Sequence, residues 1–156
     1  MTTTFSTPGT QEVLLTHVFD APRDRVYRAH IDAEAIAHWW GPRELTTEVD
    51  ALDPKPGGRW RFINRDASGA EHAFHGVFHD LWPDERIVQT FEYEGVPGRV
   101  LLSETVLEDV AGGTLLTQRA VYLTAADREA MVSSGMQGGL VASMERLGEL
   151  LVGRDA

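Results

Sequence analysis

Ala33-Glu34-Ala35-Ile36-Ala37-His38-Trp39-Trp40-Gly41-Pro42 is the stretch on which the fold turns. Two adjacent indoles are a large apolar payload, and in regular structure their side chains cannot point the same way. Gly41 permits a sharp reversal, while Pro42 stops a helix and pushes Gly41 away from α geometry. Residues 33–38 read as a short helix. The run is therefore a helix end that turns a corner and presses at least one ring into an interior.

Working outward, residues 1–10 are rich in Thr, Ser and Pro and read as a mobile lead-in. The expected division is a flexible segment over 1–11 and a single domain over 12–152. Glu12 to Phe19 alternates weakly and suits a strand. Ala21-Pro22-Arg23-Asp24 opens a helix, with Pro22 suited to the first turn and Val26, Tyr27, Ala29 and Ile31 as its apolar stripe. Beyond the Trp pair, strand-like runs at 44–53, 59–65, 71–82, 86–94, 99–109 and 114–123 are cut by turn chemistry such as Pro54-Lys55-Pro56-Gly57-Gly58 and Asp66-Ala67-Ser68-Gly69. Connections this short imply antiparallel pairing.

The last third is helical. Thr124 with Asp127 three residues on is a good N-terminal cap. From Met131 to Leu151, Met136, Leu140, Met144, Leu147 and Leu151 recur at a helical period. Gly135, Gly138 and Gly139, each costing about 1 kcal/mol relative to alanine in a helix, mark a break between two helical pieces or a close approach. The fold class is α+β: a curved seven-stranded antiparallel sheet wrapped around a long C-terminal helix, with two short helices between strands one and two. A sheet curved this strongly leaves space against its helix, and such space is a small-molecule site by default. The Trp corner then stands at its mouth, one indole in the shared core and the other bordering the cavity.

Strand alternation assigns the residues that line that space. Arg59, Arg61 and Arg65 share an outer face, which puts Trp60, Phe62 and Asn64 inside. Glu104 and Glu108 mark the outside of 99–109, leaving Leu101, Ser103, Thr105 and Leu107 within. Arg119 points out, so Leu116, Gln118, Ala120 and Tyr122 point in, and Phe91 shares a face with Tyr93. On 71–82 either Phe74, Gly76 and Phe78 or His75, Val77 and His79 are buried. Trp40, Trp60, Phe62, Phe91, Met136, Leu140 and Met144 make apolar walls, and methionine adapts to a variable pocket. Asn64, Ser103, Thr105 and Gln118 are polar on the same inner surface; a cross-strand network among them and contact with a ligand both satisfy them.

Other chemistries find little support. A net charge of -10 argues against nucleic acid or an anionic membrane as partner. With no cysteine there is no disulfide, thiolate or Cys-based metal site. The N-terminus has no basic start or apolar stretch, and no apolar run reaches membrane-spanning length, so a cytoplasmic location is expected with no membrane insertion. His75 and His79 share a strand face but stand roughly 13 Å apart, too far for one ion. His72 faces the other way, and His17, His30 and His38 are scattered. There is no nucleophile elbow, Ser133-Ser134-Gly135 being a helix interruption, and no phosphate-cradling loop at Pro56-Gly57-Gly58. Glu92 and Glu94 share a face, where exposed strand glutamates are the common case. No cofactor, metal or catalytic residue is expected.

Several strings together resemble a known family. They are Phe19-Asp20-Ala21-Pro22-Arg23, the Trp39-Trp40-Gly41-Pro42 corner, Pro56-Gly57-Gly58-Arg59-Trp60-Arg61-Phe62, Pro83-Asp84-Glu85-Arg86-Ile87, Gly112-Gly113-Thr114, Ser134-Gly135-Met136, and Met144 to Leu151. From about Glu12 to Leu151 the chain is similar to the AHSA1-type branch (activator of Hsp90 ATPase homologue 1-like) of the START-like, Bet v 1-like SRPBCC superfamily. The resemblance implies the helix-grip fold and a deep hydrophobic cavity between sheet and C-terminal helix. The superfamily holds lipid and hydrophobic-ligand carriers, polyketide cyclases and aromatases, hydroxylase subunits and stress-related proteins, so the fold alone does not choose a function. Hsp90 co-chaperones of the family carry a separate N-terminal domain, and only a short lead-in stands here, so Hsp90 is not the expected partner. Three readings remain. The first is binding of a small hydrophobic or amphipathic, lipid- or polyketide-like ligand. The others are a cyclase- or hydratase-like enzyme on such a ligand, and a stress- or Hsp90-linked protein-interaction module. An apolar patch away from the cavity would mark a partner surface or a homodimer.

Overall fold

The computed structural model describes residues 3–153. Eight strands form a single antiparallel sheet: β1 (Thr3–Ser6), β2 (Glu12–Phe19), β3 (Thr46–Leu52), β4 (Arg59–Arg65), β5 (Glu71–Trp82), β6 (Arg86–Tyr93), β7 (Leu101–Val110) and β8 (Gly113–Tyr122). Their spatial order is β1-β2-β8-β7-β6-β5-β4-β3. Four helices accompany them: α1 (Arg23–Ile31), α2 (Ala33–Trp39), α3 (Ala125–Ser133) and α4 (Met136–Gly153). The architecture is the α+β helix-grip arrangement expected, with one more strand than the seven predicted.

The eighth strand comes from the segment read as a mobile lead-in. Thr3 to Ser6 pair with β2 in the register Thr3↔His17 to Ser6↔Leu14. Threonine favours strands, and a polar segment needs only a free sheet edge to adopt one. Phe5 packs against the small cluster of Val13, Leu101 and Tyr122, while Thr3 Oγ1 hydrogen-bonds His17 Nδ1 at 2.7 Å. The composition of 1–10 misses the strand at Thr3–Ser6.

The C-terminal helix is two pieces, as its glycines foretold. Thr124 caps α3, its Oγ1 accepting from Asp127 N at 3.0 Å. The chain then turns at Ser134 and Gly135 before α4 begins. Leu147 and Leu151 on α4 are buried with Leu15 and Phe19 of β2, Leu116 of β8, and Val26 and Tyr27 of α1. So the last half of α4 sits in the main core on the concave side. Register shifts at Val49/Ala51 in β3 and Phe78/Asp80 in β5 add a residue to each strand, which bends the sheet around that helix. Thr114 closes the end near α1, its buried hydroxyl donating to Ala21 O at 2.7 Å.

Candidate functional site

The Trp corner ends α2 and is fastened from three directions. Trp39 is 4% exposed in the core, and its indole N–H donates to Ala29 O at 2.9 Å. Trp40 caps the helix, its N–H reaching Ile36 O; its ring points the other way, onto Phe62 (centroids 5.1 Å apart) and Phe74 (5.2 Å), both edge-on. Gly41 adopts φ +95°, a conformation L side chains rarely take. Its N–H donates to the buried Ser143 Oγ at 2.9 Å. Arg146, three residues further along α4, donates to His38 O, Gly41 O and Pro42 O at 2.7–3.1 Å. From the sheet, Asn64 Nδ2 donates to Thr47 Oγ1 at 2.8 Å, and that hydroxyl donates in turn to Trp40 O. Asn64 is therefore a brace for the corner. Sequence alternation placed it on the inner surface correctly but did not reveal this role. Ser143 and Arg146 were missed as well; their i, i+3 spacing on the C-terminal helix was the available signal.

The concave face settles the open question on β5. Phe74 stands opposite Phe62 and Tyr93, and Gly76 opposite Trp60. The set Phe74, Gly76 and Phe78 therefore points inward. His75 faces outward, and His79 falls at the register shift, so the two do not share a regular face. Gly76 is needed where it stands: a Cβ there would lie 2.0 Å from Thr90 O and 2.6 Å from Trp60 Nε1. The indole of Trp60 uses that space to donate to Thr90 O at 3.2 Å.

Burial divides the predicted lining residues into two kinds. Trp60, Phe62, Asn64, Leu101, Ser103, Thr105, Leu116 and Met144 are buried, whereas Trp40, Phe91, Tyr93, Gln118, Met136 and Leu140 keep partial exposure. The pattern along each element is ordered. On β8, Leu116 and Tyr122 are buried while Gln118 and Ala120 between them are not. On β6, Ile87 is buried and Gln89, Phe91 and Tyr93 are accessible. On α4, Met144 and Leu147 are buried while Met136 and Leu140 are half-exposed.

Some of these accessible positions meet buried polar ones across the sheet. Gln89 lies opposite Ser103 and Ser103 opposite Ala120, and in the adjoining row Thr105 lies opposite Gln118. The result is a strip of small and polar side chains in the middle of the concave face. The buried apolar residues form two clusters, a large one around Trp60, Leu116 and Leu147 and a small one of Val13, Leu101 and Tyr122; Phe91 and no fully buried residue touches both. Within the strip, Gln118 Nε2 reaches Thr105 Oγ1 at 3.4 Å, a long bond that leaves the amide available.

A family model described as activator of Hsp90 ATPase homolog 1-like protein matches residues 20–152. The chain belongs to the AHSA1 family. A crystal structure of a Chromobacterium violaceum protein is 28% identical with a TM-score of 0.82, the match covering 90% of this chain and 96% of that one. One from Rhodobacter sphaeroides is 20% identical, covers 97% of this chain and 99% of that one, and superposes with a TM-score of 0.91. DynU16, described as a protein in the dynemicin biosynthetic locus, is 21% identical with a TM-score of 0.71 over 92% of this chain and 48% of that one. These neighbours share the Bet v 1-like, SRPBCC arrangement. Among curated proteins none is significantly similar to the chain.

Elsewhere on this AHSA1 domain charged side chains are paired across the surface. Arg61 grips Glu94 through Nε and Nη2 at 2.8 and 2.9 Å, and His75 Nδ1 lies 2.8 Å from the same carboxylate. These hydrogen bonds, Arg61's foremost, pull the Glu94 carboxyl down to about 2. Glu92 accepts from Gly98 N at 2.7 Å. Both glutamates thus serve surface pairing on the convex face, as exposed strand glutamates commonly do. Among the described residues no group of three or more His, Asp or Glu is placed to hold a metal ion, and no helix is long and apolar enough to cross a membrane. Two open grooves, of about 320 and 300 Å³, border α4 beside Arg43, Arg146 and Glu149 and beside Arg25, Arg28 and Asp32. Both are lined by ion-pairing side chains and neither reaches the concave strip. On the convex face Leu102 and Val121 are cross-strand neighbours, 47% and 38% exposed.

Proposed function

We propose that this protein binds a small hydrophobic or amphipathic molecule between the first half of α4 and the concave face of the sheet. One observation carries the reading: the apolar interior is split, and the strip between its two parts is made of Gln89, Ser103, Thr105, Gln118 and Ala120. A sheet meant to close tightly on its helix would carry bulky aliphatics there, since interiors are packed to crystal-like density. Small side chains leave volume, and polar ones without strong partners accept hydrogen bonds from an occupant. The fold commonly binds hydrophobic ligands, which supports the same reading.

The strip's own groups are amides and hydroxyls, which orient a ligand but do not titrate. Of the buried tyrosines and histidines on this face, Tyr122 is pushed up to about 12 by burial, its hydroxyl against Met136 Sδ. His17 is buried and tied to Thr3, and burial lowers its pKa. Neither buried group is placed for acid–base chemistry, which favours binding at the strip over a reaction such as a cyclisation or hydration. The test is native mass spectrometry of the purified protein, followed by titration with an apolar fluorescent dye. A bound mass released on denaturation, or saturable dye binding at one site, is expected; a bare chain that binds no dye would refute the proposal.

A further inference from the structure

The accessible part of the concave face is aromatic on one side only. Trp40, Phe74, Phe91 and Tyr93 form a continuous partly exposed wall, with Phe74 lying 5.2 Å from Trp40, 5.5 Å from Phe91 and 5.1 Å from Tyr93. The ring plane of Phe74 is tilted by 32° from that of Phe91 and by 31° from that of Tyr93. Neighbouring tilted rings offer a flat occupant stacking and edge contacts together, an advantage that a saturated chain of equal area does not share. The wall ends at the rim in a polar pair: His72 Nδ1 and the Tyr93 hydroxyl are 2.8 Å apart. His72 is exposed and Tyr93 half-exposed, so neither is consumed by the core.

This pair has no structural task comparable to the brace at Asn64. The phenol oxygen can donate to the ring nitrogen and accept from a ligand hydroxyl. In the other tautomer it accepts from Nδ1–H and donates to a ligand carbonyl. Among the described residues, Asp109, at the end of β7 away from this wall, is the one Lys, Arg, Asp or Glu at an inward-pointing position of β2 to β8, and Arg23 pairs with it. A charged ligand at the aromatic wall would therefore meet no counter-ion from the sheet.

Building on the binding role above, we infer that the occupant is a neutral planar aromatic compound bearing a hydroxyl or carbonyl group, and that His72 with Tyr93 is the site recognising that group. Isothermal titration with four probes tests this: naphthol, methylnaphthalene (the ring without the hydroxyl), decanol (the hydroxyl without the ring) and naphthoate (the ring with a charge). Naphthol should bind about tenfold more tightly than each of the others, the factor one well-made hydrogen bond supplies. Tyr93→Phe should bring naphthol to within about threefold of methylnaphthalene and leave methylnaphthalene unchanged. His72→Phe, which keeps a ring and removes both nitrogens, should lower naphthol affinity in the same direction.

Decanol binding as tightly as naphthol would overturn the aromatic class while leaving the binding role intact. Naphthoate matching naphthol would overturn neutrality. Unchanged naphthol affinity in a folded Tyr93→Phe protein would overturn the recognition site. Failure of all four probes would overturn this inference together with the binding role beneath it.

Discussion

Replacing Gly41 by alanine should unfold the Trp corner more than its backbone angle alone predicts. At φ +95° an L residue is strained, which costs about 1–3 kcal/mol. The added Cβ would also lie 2.9 Å from Asn64 Nδ2 and 3.0 Å from Oδ1. Asn64 is buried and holds Thr47, which holds Trp40 O, so it cannot give way without loosening that chain. Losing one such bond costs a further ~1 kcal/mol. The sum is roughly 2–4 kcal/mol, a fall in Tm of about 4–16 °C for a domain of this size. Gly69→Ala is the matched control: φ there is +89°, and its Cβ would meet nothing within 4 Å. Both variants carry the strain; only Gly41→Ala carries the clash. Urea denaturation followed by tryptophan fluorescence, with thermal melts by circular dichroism, measures the difference. Equal losses for the two would refute the claim that Asn64 braces the corner.

Two further outcomes follow from burial and charge. Trp60→Ala, removing a side chain 1% exposed, should cost about 3–5 kcal/mol of stability. Phe91→Ala, on the accessible wall, should weaken dye binding while costing less stability; the reverse order in denaturation and titration would contradict the division of lining residues into buried and accessible kinds. Stability should fall as pH drops below about 6.5, the ordinary histidine value. Burial lowers the pKa of both His30 and His17, and His30 Nε2 is buried without a partner. The unfolded chain therefore binds more protons in that range, so stability is full above it and is lost below. His30→Leu should flatten the slope of urea midpoint against pH, and an unaltered slope would remove His30 as a source.

Much of this protein was legible from residue order alone. The alternation of Arg59, Arg61 and Arg65 against Trp60, Phe62 and Asn64 needed only the two-residue period of a strand, because one face is charged and the other is not. The break at Gly135 and the cap at Thr124 are local chemistry and appear where the residues place them. The predicted lining residues do lie on the concave side. What they do there was not legible: Trp60 and Met144 are packed core, Asn64 is a brace, and Phe91 and Tyr93 are accessible wall. Burial depends on what α4 and the neighbouring strands place above each position, which no single strand's pattern contains.

The same reason limited β5 and the N-terminus. On β5 aromatics and histidines alternate almost evenly, and the register shift at Phe78/Asp80 changes the parity midway, so only pairing with β4 and β6 decides which set points inward. Thr3 to Ser6 carry too little apolar surface to announce a strand; the open edge of β2 makes them one. The sequence by itself determined that a Trp-Trp-Gly-Pro corner ends a helix and sends one ring each way, because Gly41 and Pro42 allow little else. The tertiary structure decided which ring faces the core, which joins the aromatic wall, and what holds them there, because Ser143, Arg146 and Asn64 reach the corner from parts of the chain that only folding brings near.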